Sequence, residues 1–109
     1  MIIALFMVMA IPSGHSDSRS LVIINFNYQV DQGAQDYFQG VFSYAVSHND
    51  PVIIVMNTPG GYLTNAFNIV NYTIAAEKKI TVTTYVPPGD MAASAGSYIA
   101  MASDYIYMG

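Results

Sequence analysis

Four short apolar runs divide the chain into segments of helix length, and this order constrains the fold more than any other feature. The runs are Leu21–Asn25, Val52–Met56, Ile80–Val86 and Tyr105–Met108. They are rich in β-branched residues and do not alternate strictly with polar ones, which is typical of buried strands in a parallel sheet. The sequence therefore predicts an α/β fold with βα repeats, in which right-handed crossovers connect the strands.

Each intervening segment predicts a helix. The first begins after a potential cap at Asp31 and ends at the segment 48–51, and the second ends near Lys78 and Lys79, whose charges suit a helix C-terminus. The third is predicted over Met91–Met101, with Asp90 as its cap. The predicted core faces are Ala34, Tyr37, Phe38, Val41 and Ala45 in the first helix, and Leu63, Ala66, Phe67, Val70 and Ile74 in the second.

The composition indicates more apolar surface than a chain of this size usually buries alone. The 109 residues correspond to one domain or part of one. Hydrophobic residues make up 53% and charged residues 9% of the chain, against about 25% charged in an average soluble protein. Disorder is therefore excluded. Since the last apolar run would leave a sheet edge open, we expect an incomplete domain or an obligate homo-oligomer.

Charge and residue counts exclude several classes of function. Three Lys and Arg residues against seven Asp and Glu give a net charge of −4, which argues against nucleic-acid binding. The absence of cysteine rules out disulfides, thiol nucleophiles and cysteine metal sites. With two histidines and scattered carboxylates, neither a metal site nor a cofactor is predicted.

The N-terminus begins with the apolar run Ile2–Ile11, which ends at Pro12. The run is shorter than the roughly 20 residues of a membrane-spanning helix, but it suits the apolar region of a secretory signal. Residues 1–20 are therefore predicted to be a signal peptide or a leader or anchor, and residues 21–109 a single domain. Because no Lys or Arg precedes the run, a truncated membrane anchor or a buried first strand remain alternatives.

Two turns at the predicted carboxyl ends of strands are candidates for a site, since ligands of parallel sheets bind there. The turn Asn57–Gly61 places two glycines before a helix, where backbone N–H groups can hold an anion or a developing oxyanion. In the segment 86–98, Ser94 is flanked by alanine and glycine, so a substrate carbonyl could approach its hydroxyl. The N–H groups of Ala95 and Gly61 would then surround the carbonyl oxygen. Taken alone, each segment is better explained by structure than by chemistry: a tight turn at 57–61 and close packing of two elements around Ser94.

The two motifs together resemble the Clp-protease/crotonase fold. The motifs are Asn57-Thr58-Pro59-Gly60-Gly61 and, after a helix and a strand, Pro87-Pro88-Gly89 with 92–98 (AASAGSY). Within that fold the chain is similar, from about Leu21 to Gly109, to membrane-linked serine proteases of the NfeD type, which belong to the ClpP class and partner stomatin-like proteins. The resemblance implies that Ser94 is the nucleophile and that Ala95 and Gly61 form the oxyanion hole. It also implies that Gly60 and Gly96 support the turns.

The resemblance also concerns a general base. NfeD-type proteases use a lysine that lies further along the chain than these 109 residues, whereas ClpP uses a downstream histidine and aspartate. Neither has a counterpart here. Lys78 and Lys79 are expected at a solvated helix end, and His48 at the opposite end of the sheet from Ser94; His15 lies in the leader. Without a base a serine hydroxyl is a weak nucleophile, so the 109 residues alone are expected to be inactive.

These features predict a membrane-associated or extracytoplasmic serine endopeptidase that cleaves apolar polypeptide segments through an acyl-enzyme at Ser94. The resemblance also implies a stomatin-like membrane protein as a partner. Three alternatives use the same fold. The first is a catalytically silent scaffold for oligomerisation or peptide binding, and the second is a Ser/Lys protease related to signal-peptide peptidases. The third is acyl-CoA chemistry of the crotonase type, which the lack of basic residues for the CoA phosphates disfavours.

Overall fold

A computed structural model describes residues 6–12 and 18–109 of the chain. The element order is β1 (Phe6–Pro12), β2 (Ser18–Phe26), α1 (Gln32–His48), β3 (Val52–Met56), α2 (Leu63–Glu77), β4 (Val82–Val86), α3 (Ala95–Ala102) and β5 (Tyr105–Met108). The five strands form one sheet in the order β1-β2-β3-β4-β5. Strands β2 to β5 are parallel, as predicted, and β1 is antiparallel to β2.

The N-terminal apolar run contributes strand β1. Its pairing with β2 runs from Phe6 opposite Ile24 to Pro12 opposite Ser18. Strand β2 also begins at Ser18, three residues before the predicted start, because the polar residues 18–20 take part in this pairing. His15 lies outside the described residues. A targeting role for residues 1–20 stays a prediction.

The three helices cover one face of the sheet. Right-handed crossovers that all step in the same direction place their helices on the same side, and the burial of strand residues follows this arrangement. In β2 and β3, Val22, Ile24, Val52 and Ile54 are fully buried, while the alternate residues are half-buried. The second face of the apolar runs is thus partly open within the part of the chain that the structure describes.

Helix α1 forms as predicted. The Asp31 side chain accepts a hydrogen bond from the Ala34 N–H at 2.9 Å and so caps the helix. At the other end Asn49 adopts a left-handed conformation, and its N–H donates to carbonyls of the last turn. The buried face contacts the sheet through Ala34, Phe38, Val41, Phe42 and Ala45.

The predicted core face of α2 is correct for Ala66 and Val70, which are buried or packed against the core, and wrong for its other three residues. The buried residues are Ala66, Ile69, Thr73 and Ala76, whereas Leu63, Phe67 and Ile74 are exposed. The helix is apolar on two faces, and spacing alone does not distinguish them. Strand β4 begins at Val82 instead of Ile80, because the N–H groups of Lys79 and Ile80 both donate to the Ala76 carbonyl and extend the end of α2 as a turn.

Helix α3 starts four residues later than predicted, and Asp90 does not cap it. The segment 91–93 is extended and hydrogen-bonded to Thr58, so the helix begins at Ala95 with Ser94 at its cap position. Asp90 is an exposed turn residue whose N–H donates to the Pro87 carbonyl at 3.0 Å. None of the helices in the described residues is long and apolar enough to cross a membrane.

Candidate active site

The two turns singled out in the sequence meet at the carboxyl edge of the sheet. They follow the adjacent parallel strands β3 and β4, so their starting points are neighbours. The Thr58 N–H donates to the Met91 carbonyl at 2.7 Å, and the Ala93 N–H donates to the Thr58 carbonyl at 3.1 Å. The Asn57 Oδ1 atom accepts a hydrogen bond from the Met91 N–H at 3.2 Å. These bonds hold the two turns side by side.

Ser94 occupies a strained position at this junction. Its φ of 51° and ψ of −117° lie in a region that side-chain-bearing residues rarely adopt. The residue is exposed, and its side chain makes no cap hydrogen bond to α3. A serine held on a sharp strand-to-helix turn with its hydroxyl exposed has the geometry of a nucleophile elbow. Strain of this kind is concentrated at functional sites.

The glycine turn lies directly against Ser94. A Cβ added at Gly60 would lie 2.9 Å from both the Ser94 Cβ and the Ala93 carbonyl oxygen, and 3.3 Å from the Ala95 nitrogen. With a φ of 106°, Gly60 also has a backbone conformation that favours glycine. The structure therefore brings the predicted nucleophile, Ala95 and the glycine turn into contact, and it requires glycine at position 60.

Gly61 packs against the loop that follows β2, whereas Gly60 packs against Ser94. The Val30 N–H donates to the Gly60 carbonyl and the Tyr62 N–H donates to the Val30 carbonyl, both at 2.8 Å. A Cβ at Gly61 would overlap the Val30 backbone. The loop 27–31, which the sequence did not indicate as part of the site, therefore fixes the glycine turn from behind.

Several backbone N–H groups at this junction have no hydrogen-bond acceptor among the described residues, and two of them are the predicted oxyanion donors. One belongs to Ala95, the first residue of α3, whose N–H is one of the donors that a helix N-terminus leaves unpaired. The other belongs to Gly61, whereas the Gly60 N–H donates to the Thr58 hydroxyl at 3.1 Å. Helix N-termini favour negative charge. The arrangement suits an oxygen that becomes negative during a reaction.

Gly96 allows α3 to approach the first turn. A Cβ at this position would lie 2.3 Å from the Thr58 Cγ2 atom, so no other residue fits without displacement. Thr58 itself is fully buried, and its hydroxyl donates to the Tyr28 carbonyl at 2.6 Å. The sequence analysis treated Thr58 only as one residue of a turn. Its position directly before Pro59-Gly60-Gly61 was the one signal in the sequence that could have indicated its role.

His48, Lys78 and Lys79 lie apart from Ser94, at the opposite edge of the sheet. His48 is at the end of α1 and therefore at the amino edge of the sheet, where it stacks on Tyr44 with ring centroids 4.0 Å apart. Lys78 and Lys79 follow α2 at the same edge and are exposed. The hydroxyl of Ser97 donates to the Ser94 carbonyl, and that of Ser103 pairs with Thr84. No group of His, Cys, Asp or Glu in residues 6–12 and 18–109 could hold a metal ion.

The fold of the chain is ClpP-like. The fold matches ClpP1 from Listeria monocytogenes with a TM-score of 0.65 at 24% identity, over 74% of this chain and 46% of that one. More specifically, the chain belongs to the family of NfeD1b N-terminal domains, whose model matches residues 20–109.

Two curated relatives and a solved protease agree with this family. The membrane protein NfeD1b of Bacillus subtilis is 33% identical over 94 residues, which are 85% of this chain and 21% of the relative. The membrane-bound protease PH1510 of Pyrococcus horikoshii is 40% identical over 82 residues, 73% of this chain and 18% of the relative. The chain thus spans about a fifth of the length of these proteins.

The solved structure is a serine-to-alanine mutant of the 1510-N membrane-bound stomatin-specific protease. It matches with a TM-score of 0.70 and 36% identity, over 79% of this chain and 41% of that one. A lysine-to-alanine mutant of the same protease, in complex with a substrate peptide, matches with the same TM-score at 35% identity and covers 79% of this chain and 40% of its own.

Proposed function

We propose that this chain carries the nucleophile and the oxyanion hole of a membrane-associated serine protease of the ClpP class. The observation that carries the proposal is the conformation of Ser94, which is exposed, strained and in contact with the glycine turn at the N-terminus of α3. In this proposal Ser94 is the nucleophile, and the N–H groups of Ala95 and Gly61 stabilise the oxyanion.

The reaction begins when the Ser94 Oγ attacks the carbonyl carbon of a peptide bond while a general base takes the hydroxyl proton. The negative oxygen of the tetrahedral intermediate accepts hydrogen bonds from the two N–H groups. The C–N bond then breaks as the proton passes to the leaving amine, which leaves an ester on Ser94. Water hydrolyses this ester, the base again taking a proton, and the hydroxyl is regenerated.

The proposed base is a lysine that lies outside these 109 residues. The relatives include a protease that was solved both as a serine and as a lysine mutant, the latter with a substrate peptide, which supports a Ser/Lys pair. A lysine acts as a base only when desolvation keeps its amine neutral. The two turns, 57–61 and 87–98, contain one charged residue, Asp90, so they offer such an amine a largely uncharged environment.

The proposed substrates are apolar segments of membrane-associated polypeptides. Large apolar side chains flank the site: Tyr62 and Leu63 directly follow Gly61 and are 63% and 48% exposed, and Met91 and Tyr98 lie on either side of Ser94. These surfaces favour apolar peptide side chains. Because a similar protease is stomatin-specific, we propose a stomatin-like protein as the partner of the full-length protein, and a homo-oligomer as its working form.

Replacing the nucleophile tests the proposal. In the full-length protein, Ser94→Ala should abolish cleavage of an apolar peptide, with a loss on the order of 10⁴-fold or more, and should prevent labelling by a serine-reactive phosphonate. Ser43→Ala is the matched control, because Ser43 is an exposed serine on α1. Full cleavage by Ser94→Ala would refute the assignment of Ser94 as the nucleophile, whereas no cleavage by the unsubstituted protein would favour the silent scaffold.

A further inference from the structure

Thr58 connects three separate segments of the site. Its hydroxyl donates to the Tyr28 carbonyl at 2.6 Å and accepts the Gly60 N–H at 3.1 Å. Its backbone is bonded to Met91 and Ala93 in the turn that carries Ser94. The side chain is fully buried. One residue therefore fixes the loop after β2, the glycine turn and the approach to the nucleophile.

The hydroxyl also determines which amide of the glycine turn stays unpaired. Because it accepts the Gly60 N–H, the Gly61 N–H is left as the donor of the turn without an acceptor among the described residues. Without this hydroxyl, the Gly60 N–H would be a buried donor with no partner, and the turn could relieve that only by rotating its peptide planes.

The methyl group of Thr58 has a separate contact. It occupies the space that a side chain at position 96 would need, since a Cβ at Gly96 would lie 2.3 Å from Cγ2 but 3.7 Å from the Thr58 Cβ. Thus the methyl group alone excludes a side chain at Gly96. The two atoms on the Thr58 Cβ have distinct tasks: the hydroxyl orients the glycine turn, and the methyl group sets the closest approach of α3.

We propose that Thr58 is a positioning residue that aligns the oxyanion donors with Ser94. The proposal rests on the function proposed above and assigns to Thr58 no contact with the substrate. It predicts that the hydroxyl affects the chemical step more than substrate binding, because a misaligned amide weakens the transition state selectively.

The hydroxyl is tested by two substitutions in the full-length protein. Thr58→Val keeps the shape but removes the hydroxyl, and kcat should fall on the order of 10²-fold while KM changes little. Thr58→Ser keeps the hydroxyl and should retain kcat within about threefold. Equal kcat values for the two variants, or a loss confined to KM, would overturn the proposal.

The methyl group is tested by a reciprocal rescue that does not depend on catalysis. Gly96→Ala alone should lower the Tm of the full-length protein by about 5 °C or more. In a Thr58→Ser background the same change should cause little or no loss, because the added Cβ then meets only atoms at ordinary contact distances. Gly40→Ala is the control, since nothing lies within 4 Å of a Cβ at that helical glycine; it should raise the Tm.

The outcomes separate the two proposals. If Ser94→Ala keeps full activity, the proposal that Ser94 is the nucleophile fails. The rescue of Gly96→Ala by Thr58→Ser still tests the contact between the Thr58 methyl group and position 96. If Ser94→Ala is inactive but Thr58→Val keeps full kcat, the positioning proposal fails alone. Should Thr58→Val not fold, absence of the rescue between positions 58 and 96 would by itself overturn the assignment of the methyl group.

Discussion

Two non-glycine residues in the described segments have a positive φ, and they lie at opposite edges of the sheet. Asn49 follows α1 at the amino edge, with φ 56° and ψ 39°. Ser94 follows β4 at the carboxyl edge, with φ 51° and ψ −117°. The first conformation is a left-handed helix cap, which asparagine tolerates well. The second is a conformation for which glycine is favoured.

The two residues differ in how well the residue type suits the backbone conformation. At Asn49 the residue type suits the backbone, and the cap N–H is bonded to the carbonyls of Ala45 and Val46. At Ser94 a serine stands where glycine would be less strained, and its side chain stabilises no cap. Local stability explains Asn49 but not Ser94, so the hydroxyl at 94 needs a functional explanation.

The largest effect at the carboxyl edge is expected for Gly61→Ala. The added Cβ would overlap the Val30 backbone in addition to the strain of a positive φ, and we expect a loss of about 3 kcal/mol or more in unfolding free energy. Gly89→Ala is the control, since Gly89 has a φ of 83° but open space around it; it should cost only about 1 kcal/mol. Equal losses in urea unfolding would contradict the close approach to Val30.

Ser94→Gly is expected to increase the stability of the fold. Relieving the strained backbone should stabilise the fold by about 1–2 kcal/mol, while peptide cleavage by the full-length protein is abolished. Ser94→Ala should lose cleavage without this gain, because alanine keeps the Cβ. The thermal unfolding of the three proteins measures the effect, and a less stable Ser94→Gly would show that position 94 is not strained.

Substitutions at Asn49 should affect the stability of the fold but not peptide cleavage. Asn49→Ala places a residue that disfavours the left-handed region at the α1 cap and should destabilise the fold by about 1 kcal/mol. Asn49→Gly should be neutral or stabilising by a few tenths of a kcal/mol. Neither variant should change the kcat of peptide cleavage. A drop in kcat for either would mean that the two edges are coupled.

The smallest effect concerns Glu77, also at the amino edge. Burial, and secondarily the nearby Asp104, raise the pKa of Glu77, and its Oε1 atom is buried with no partner among the described residues. The ionised form is therefore disfavoured in the folded state, so stability falls as the pH rises from the ordinary glutamate pKa through the raised one. Glu77→Gln should raise the free energy of unfolding by about 0.5 kcal/mol or less at pH 7, because solvent screens much of the interaction. Below about pH 4, where Glu77 is protonated in both states, the substitution should not change the free energy of unfolding.

Strands and turns could be predicted from the sequence better than helix faces. The bounds of β3 and β5 match the prediction, since each is an apolar run bordered by turn or polar residues. Three of the five predicted core residues of α2 are exposed, because Leu63, Phe67 and Ile74 have the same helical spacing as the buried residues. Helix α3 begins late because the backbone at 91–93 is bonded to Thr58, 33 to 35 residues away in the sequence, and no local pattern reports such a contact.

The position of the candidate site could be predicted from the sequence, but the residues that support it could not. The serine among small residues and the paired glycines indicated a nucleophile and amide donors, and the structure brings Ser94, Ala95 and Gly60 into contact. The roles of Thr58 and Val30 depend on three loops that meet only in the folded sheet. Neither residue type is specific for such a task, so their involvement became visible only in three dimensions.

The strand order has a consequence for biosynthesis. Each strand pairs with the one before it in the chain, so the sheet can grow in step with translation, with a short crossover closed at each addition. The hydrogen bonds between Thr58 and the segment 91–93 can form only after that segment has been synthesised, so the elbow at Ser94 is completed after β4. A nascent chain that stalls before Val82 presents the bare edge of β3, the form most exposed to chaperones and to aggregation.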